Sequence, residues 1–375
     1  MKVGIITIID QVNIGNRLQN YAAQELLKAR GCQVSTLVYE TYDEEGSKLY
    51  RVKAFFRNLL VRSGIFTSRF YLTHIKRSQK MFLVQEFNRT YMDLTKKYYF
   101  KTTRMAKHKD DFDYYCAGSD QIWNPALVQS RDFFFMGFAP SERTFSLSAS
   151  MGMSGISEKY LDNFRKGFTH VGSISVRENS VRELISKIVG RDTTVLLDPT
   201  LLVDRSKWLS IARKPAIDLP DRYIATYFLS ELTPAQKSFI EDYAREQDLS
   251  VIDMNQTYYQ QVGPLEYLYL IANAQFVFTD SFHGTAFSII FDKDFLVFQR
   301  NNMYDMSSRI TTVLEKVKLE NRFYCGSNDQ LDASLRECVE EIRKQDTGHV
   351  GPVLEQEKQK ADAFFQGVFK GKDQP

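Results

Sequence analysis

The sequence predicts an α/β protein made of two successive halves, each built on a parallel sheet. Three observations carry that expectation. Short apolar runs of strand length recur along the chain, beginning with VGIITII (3–9) and VSTLVY (34–39). Segments with helical spacing of apolar residues separate them, and strand–helix alternation of this kind favours parallel pairing. A stretch with two prolines, RKPAIDLPDR (213–222), interrupts the alternation before YIATYFL (223–229) restarts it.

The elements follow in order. The loop DQVNIGN (10–16) leads into RLQNYAAQELLKARG (17–31), where Leu18, Tyr21, Ala22, Leu26 and Ala29 recur at helical spacing and Gly31 is a natural C-cap. A basic segment interrupts the series and is expected to be helical in part. DYYCAG (113–118), TFSLSAS (144–150), SISVRE (173–178) and TTVLLDPT (193–200) read as further strands, with helices near 157–167 and 179–189. After the proline-bearing linker come a helix at 234–246, the strand VIDM (251–254), a helix near 264–273, the strand FVFT (276–279), a helix opened by Asp280–Gly284, and the strand FLVF (295–298). A helical region follows at about 330–368. The expected domains are 1–212, carrying the basic insertion at about 45–110, and 223–328, with a helical tail at 329–375 returning to the first. Two Rossmann-like domains facing across an interdomain cleft make a GT-B-like fold.

Composition narrows the class. With 375 residues, 43% hydrophobic and 25% charged, the chain is long enough for two ordinary globular domains. No apolar run approaches the ~20 residues of a membrane-spanning helix. MKVGIITII has the charge-then-apolar order of a leader but lacks its length and cleavage region, so a first buried strand is expected. Cys32, Cys116, Cys325 and Cys338 show neither CxxC spacing nor a dense framework, which argues against a zinc site or a disulfide scaffold. Reduced thiols suit the cytoplasm, the expected location. The net charge of +3 conceals an asymmetry: Lys48–Lys109 holds sixteen Lys and Arg against Glu86 and Asp93. That segment is also rich in aromatics. It suits an anionic membrane surface, here the inner face of the cytoplasmic membrane, or else a solvated helical face whose aromatics pack inward. No nucleic-acid partner is expected, and the oligomeric state is left open.

The residues that can carry chemistry fall at the carboxyl ends of expected strands, where open α/β folds bind ligands. After the first strand stand Asn13, Gly15 and Asn16; Gly15 permits close backbone approach, and an ordinary capped loop is the alternative. GSDQIWNP (118–125) crowds Ser119, Asp120, Gln121 and Trp123 together. Asp120 holds sugar hydroxyls or acts as a base, or it caps a helix; Trp123 stacks on a sugar face, or it fills a core gap. Arg177 suits bidentate binding of carboxylate or phosphate, with an ion pair to Glu178 or Asp198 as the alternative. Arg309 poses the same choice. In the DSFHGT stretch (280–285), a helix N-terminus places Ser281, Gly284 and Thr285 and their backbone N–H groups beside His283, with Asp280 as its orienter.

Four of these segments, NIGNRLQNYA (13–22), CAGSDQIWNP (116–125), the SVRE…DPT pair (175–200) and TDSFHGTAFSIIF (279–291), together with LEKVKLENRF (314–323), resemble the polysaccharide pyruvyl transferase family. The resemblance implies a GT-B-like fold and transfer of pyruvate from phosphoenolpyruvate to two hydroxyls of a sugar, as a cyclic ketal, with release of phosphate. It implies phosphoenolpyruvate as donor substrate, and neither a cofactor nor an obligate metal is expected. His283 matches the family's essential histidine and Arg177 its donor-binding arginine. Some members carry an arginine two residues before the histidine. This chain has Ser281 there, so Arg309 or the helix N-terminus must supply the second positive charge. The acid and base roles of His283 and Asp120 are interchangeable at this level. A lipid-linked oligosaccharide on undecaprenyl diphosphate is the acceptor that the basic insertion suggests. A nucleotide-sugar glycosyltransferase and a non-catalytic membrane-peripheral capsule-assembly protein are the alternatives.

Overall fold

The computed structural model describes residues 1–9, 13–40, 68–96, 98–99, 105–125, 132–152, 155–300, 307–326 and 333–370, with backbone alone at 40, 68–78, 98–99 and 333–334. Most of the basic insertion therefore lies outside the described residues.

The strands run β1 (Lys2–Ile6), β2 (Gln33–Thr36), β3 (Tyr39–Glu40), β4 (Tyr98–Tyr99), β5 (Tyr114–Ala117), β6 (Thr144–Ser146), β7 (Ser175–Val176), β8 (Thr194–Val195), β9 (Tyr223–Tyr227), β10 (Ser250–Asp253), β11 (Phe276–Thr279), β12 (Phe295–Phe298) and β13 (Phe323–Tyr324). Two parallel sheets dominate, ordered β2-β1-β5-β6 and β10-β9-β11-β12-β13. Val3 lies opposite Val34 on one side and Tyr114 on the other, and Ile224 of β9 opposes Val251 and Phe276. β5, β9, β11 and β12 are buried along their whole length, as strands covered by helices on both faces must be.

β7 and β8 pair with each other, and bridges from Phe145 to Ser173 and from Ala149 to Val176 join them to the first sheet. They are shorter than the apolar runs suggest. Ser146 and Ser175 spend side-chain bonds on this edge: the Ser175 hydroxyl donates to the Ser146 carbonyl at 2.7 Å and the Ser146 hydroxyl to the Ser175 carbonyl at 2.9 Å. Ser148, with φ +48°, turns the chain between them.

The helices are α1 (Ile14–Lys28), α2 (Ser68–Tyr91), α3 (Glu158–His170), α4 (Asn179–Val189), α5 (Pro199–Leu202), α6 (Arg205–Ile211), α7 (Pro234–Glu246), α8 (Pro264–Asn273), α9 (Phe282–Ile290), α10 (Ser308–Val317), α11 (Ala333–Lys344) and α12 (Val350–Phe369). α7 starts on a capping box, with the Thr233 hydroxyl accepting from the Gln236 N–H and the Gln236 side-chain Oε1 accepting from the Thr233 N–H. α5 and α6 occupy residues where no helix is expected from periodicity; both are too short to show one. Asp198 starts α5 by accepting from the Thr200 N–H at 2.9 Å. No helix among the described residues is long and apolar enough to cross a membrane.

One apolar cluster runs through both halves, taking residues from α1, β1 and β5 as well as β9, β11 and α9. The Trp208 ring packs edge-on against Tyr21 at 5.5 Å and Phe287 at 5.0 Å. α12 lies across the same region. Phe365 and Phe369 meet Phe145 at 6.3 and 5.7 Å, and Phe369 meets Tyr114 at 5.2 Å. Arg213, where the proline-bearing stretch begins, donates two 2.8 Å bonds to Glu86 of α2 and one of 2.6 Å to Glu266 of α8.

The strand orders fix where a ligand can bind. In the first sheet the chain builds outward from β1 to β2, then resumes on the other side with β5. In the second it builds from β9 to β10, then resumes with β11. Crevices of the kind that hold ligands open at such reversals, beyond the carboxyl ends of the strands. They lie between the loops after β1 and β5, and between those after β9 and β11.

Candidate active site

The loop after β1 starts α1 with Asn13 as N-cap, its side-chain oxygen accepting from the Asn16 N–H at 3.0 Å. That places Gly15 in the first turn against the imidazole of His283, which stands in the first turn of α9. A Cβ on Gly15 would lie 2.1 Å from His283 Nδ1 and 2.6 Å from Cγ. The two halves meet here with no room for a side chain.

After β5 the chain reaches Asp120, a non-glycine residue at φ +68°. This left-handed conformation is costly for an aspartate and is held by its surroundings. The Asp120 carbonyl accepts from the N–H groups of Ile122 at 2.8 Å and Ser150 at 2.9 Å. The carboxylate accepts from Asn16 Nδ2 at 2.8 Å and stands 3.9 Å from Arg177 Nη2. Burial pushes the carboxyl up, but Arg177, His283, the Asn16 amide and Arg309 outweigh it and hold the group below its usual range.

Arg177 leaves the end of β7. One guanidinium nitrogen is paired with Asp198, whose carboxylate also accepts from the Ser119 hydroxyl at 3.0 Å and the Thr200 hydroxyl at 2.7 Å. Its Nε and Nη2 are buried without a hydrogen-bond partner. Arg309, on α10, is 6% exposed and its Nε is buried and unbonded. Both guanidinium groups face the ring of Phe282, Arg177 at 4.4 Å and Arg309 at 5.9 Å. Burial, reinforced by Arg177 and opposed by Glu178 and Asp120, brings Arg309 down to about 10. It stays cationic at neutral pH. Two buried cations with unmet N–H donors have the chemistry to hold a doubly anionic ligand.

His283 completes the group. Burial pushes its pKa down, Asp198 and Asp120 pull it up, Arg177 and Arg309 push it down again, and the net direction is downward. The ring is therefore neutral at pH 7. Its Nε2 is buried and has no partner.

The structure thus gathers His283, Asp120, Arg177, Arg309, Gly15 and Asn16. Other expected site residues serve the fold. Trp123 is a correction: it is wholly buried, stacked on Phe135 at 5.6 Å, with its Nε1 donating to the Phe134 carbonyl at 3.1 Å, so no sugar reaches its face. Asp280 does not orient His283. It accepts from the Leu229 N–H at 2.7 Å, the Ser230 N–H at 2.9 Å and the Ser230 hydroxyl at 2.5 Å, tying the loop after β9 to that after β11. Ser119 holds Asp198, and Gln121 accepts from Asn124 at 2.5 Å. Ser281 is the N-cap of α9, accepting from the Gly284 N–H at 3.5 Å, and both the Thr285 N–H and hydroxyl donate to the Ser281 carbonyl. The anion-binding N–H groups expected at Gly284 and Thr285 are therefore already engaged. Of the two carboxylates expected as ion-pair partners for Arg177, Asp198 takes that role and Glu178 does not.

Among the described residues, no group of three His, Cys, Asp or Glu side chains is placed to hold a metal ion.

The sequence matches the family described as "Polysaccharide pyruvyl transferase" over residues 13–302, which takes in all of these residues except Arg309. The chain belongs to the polysaccharide pyruvyl transferase family. No curated protein matches it. Among solved structures, this family member is similar to a putative UDP-N-acetylglucosamine 2-epimerase from Listeria monocytogenes. The TM-score is 0.51 and the identity 10%, over 100% of this chain and 98% of that one. A UDP-GlcNAc 2-epimerase from Methanocaldococcus jannaschii gives 0.49 at 11% identity, covering 93% of each chain. Arabidopsis thaliana UGT89C1 complexed with UDP-L-rhamnose gives 0.48 at 10%, covering 99% of this chain and 95% of that one. The fold of this pyruvyl transferase family member is GT-B-like.

Proposed function

We propose that the protein moves pyruvate from phosphoenolpyruvate to two hydroxyls of a sugar in a cell-surface polysaccharide precursor, forming a cyclic ketal and releasing phosphate. Family membership supplies the transferase class. The observation that carries the donor is the pair of buried guanidinium groups, Arg177 and Arg309, both beside the Phe282 ring and both with unbonded N–H donors. Phosphoenolpyruvate carries two anionic groups, a phosphate and a carboxylate, and needs two such partners. With Ser281 spent as a helix cap, Arg309 supplies the second cation.

Ketal formation requires a proton on the methylene carbon, attack of a hydroxyl on the central carbon, loss of phosphate, and closure by a second hydroxyl. Asp120, held ionised between Asn16 and Arg177, accepts the hydroxyl proton. Neutral His283 donates a hydrogen bond to the phosphoryl group as negative charge builds on it, with the two arginines. The acceptor enters from the side of the loops after β1 and β5. Its attachment to undecaprenyl diphosphate, at an anionic membrane face in the cytoplasm, is part of the proposal and rests on the charge of residues 48–109.

The protein is incubated with phosphoenolpyruvate and, separately, with nucleotide sugars, against a panel of p-nitrophenyl hexosides and lipid-linked oligosaccharides, and the acceptor is followed by mass. A carboxyethylidene addition is expected; a hexose addition overturns the reading in favour of glycosyl transfer. His283→Ala is expected to abolish phosphate release in the same assay, and near-normal turnover would remove His283 from the mechanism.

A further inference from the structure

Carbon protonation needs an acid. The depressed histidine is a poor one, and Asp120 is held ionised. One buried carboxyl has no part in the steps above. Glu178 follows Arg177 at the end of β7 and precedes α4 without making a side-chain cap bond. It is 1% exposed. Its Oε1 accepts from the Ser150 hydroxyl, and its Oε2 is buried with no hydrogen-bond partner. An ionised carboxylate there leaves an uncompensated oxygen in the interior; a proton on that oxygen removes the charge. The groups that face it are Arg177 beside it, Arg309 from α10, the Ser150 hydroxyl and the Gly152 N–H. All of them favour the anion, and burial outweighs them, so the carboxyl is raised above its usual range. Two carboxyl groups of one site, Asp120 and Glu178, are thereby driven in opposite directions. Such divergence separates an acid from a base.

We propose that Glu178 is the carbon acid of the reaction, a catalytic residue that delivers its carboxyl proton to the methylene carbon of phosphoenolpyruvate. This rests on the pyruvyl-transfer reading and deepens it. The O–H bond of Glu178 breaks, and the electron pair of the C2–C3 double bond forms the new C3–H bond. C2 becomes an oxocarbenium centre. The first sugar hydroxyl bonds to C2 and its proton passes to Asp120. The C2–O bond to phosphate then breaks with its electron pair leaving on phosphate, and the second hydroxyl closes the ring. Of the two hydroxyl protons, one leaves on phosphate. The other replaces, through solvent, the proton that Glu178 gave to the methyl group.

The test uses the full-length protein with an acceptor on which the wild type turns over. Glu178→Gln keeps the shape of the side chain and removes its acidic proton. Phosphate release is expected to fall about 10²–10⁴-fold, with the KM for phosphoenolpyruvate and the melting-temperature rise it induces both kept. A variant with near-normal turnover, or one that loses phosphoenolpyruvate binding instead, overturns the proposal. Ser150→Ala supplies an independent readout. The Ser150 hydroxyl donates to the ionised carboxylate and so favours it. Its loss moves the alkaline limb of the kcat profile to higher pH. An unmoved limb overturns the assignment even if Glu178→Gln does not fold. A wild type that releases no phosphate with any acceptor overturns the pyruvyl-transfer reading itself. That outcome is distinct from an active wild type with an active Glu178→Gln.

Discussion

Gly15 and His283 stand 268 positions apart in the chain, and no methyl group fits between them. A Cβ at Gly15 would sit 2.1 Å from Nδ1 and 2.9 Å from Cε1 of the imidazole, far inside any real contact. The imidazole packs edge-on against Phe282 at 5.3 Å, so the added methyl must push against a packed ring. Gly15→Ala is therefore expected to displace the His283 imidazole and to cost about 1–3 kcal/mol of overpacking. Denaturant unfolding measures the second effect and kcat in the phosphate-release assay the first. Loss of activity well beyond the loss of stability is the expected pattern. At this scale the sequence is legible where a residue type is rare or conformationally special, as with His283, Gly15 and the charged Arg177. It is not legible for Trp123 or Asp280, because whether a polar or aromatic group is spent on the protein depends on neighbours distant in the chain. Phe134, whose carbonyl takes the Trp123 N–H, and Ser230, which takes Asp280, are such neighbours.

α9 carries His283, so the start of that helix matters more than its length. Ser281 caps it, but the bond from the Gly284 N–H is long, at 3.5 Å. The helix is anchored more firmly by Thr279, whose hydroxyl accepts from the Ser281 N–H at 3.0 Å and donates to the Tyr227 carbonyl at 2.6 Å. Ser281→Ala is accordingly expected to cost about 0.5 kcal/mol, the low end for loss of a serine cap, as read by denaturant titration. A loss of about 2 kcal/mol would mean that the cap is stronger than its length implies. Elements of this size were the most legible part of the chain. α4 and α7 fall on the residues their periodicity indicates, because each has an apolar face long enough to repeat, and β11 falls on a short buried-strand run bounded by polar residues. α5 and α6 were not legible: four and seven residues hold too few turns to show a period. β7 is short because its edge is held by serine side chains, and that is a pairing between Ser146 and Ser175 that no local pattern records.

At the scale of the molecule, the two sheets are joined by apolar packing. The cluster that holds Ile5 and Leu18 also holds Tyr227 and Phe291. Helical spacing identifies buried faces but not the element each face packs on, so the alternation of strands and helices gave two halves and not their common core. α12 closes that core. Its ion pairs reach both halves, Asp362 to Arg30, Lys358 to Asp204 and Glu357 to Lys316. Those with an exposed partner, such as Asp204, contribute little. The weight falls on Phe365, which is buried to 1% exposure, lies over the Arg30 guanidinium at 4.2 Å, and meets Phe145 and Phe369. Phe365→Ala is expected to cost about 3–5 kcal/mol, the range for emptying an aromatic site in a core. Because the core is continuous, the loss belongs to the whole fold. Tryptophan fluorescence, from Trp123 in the first half and Trp208 between the halves, and far-ultraviolet circular dichroism are expected to report one coincident transition, shifted to lower denaturant. Two separated transitions in the variant would instead mean that each half is stable alone and that α12 is only a strap between them.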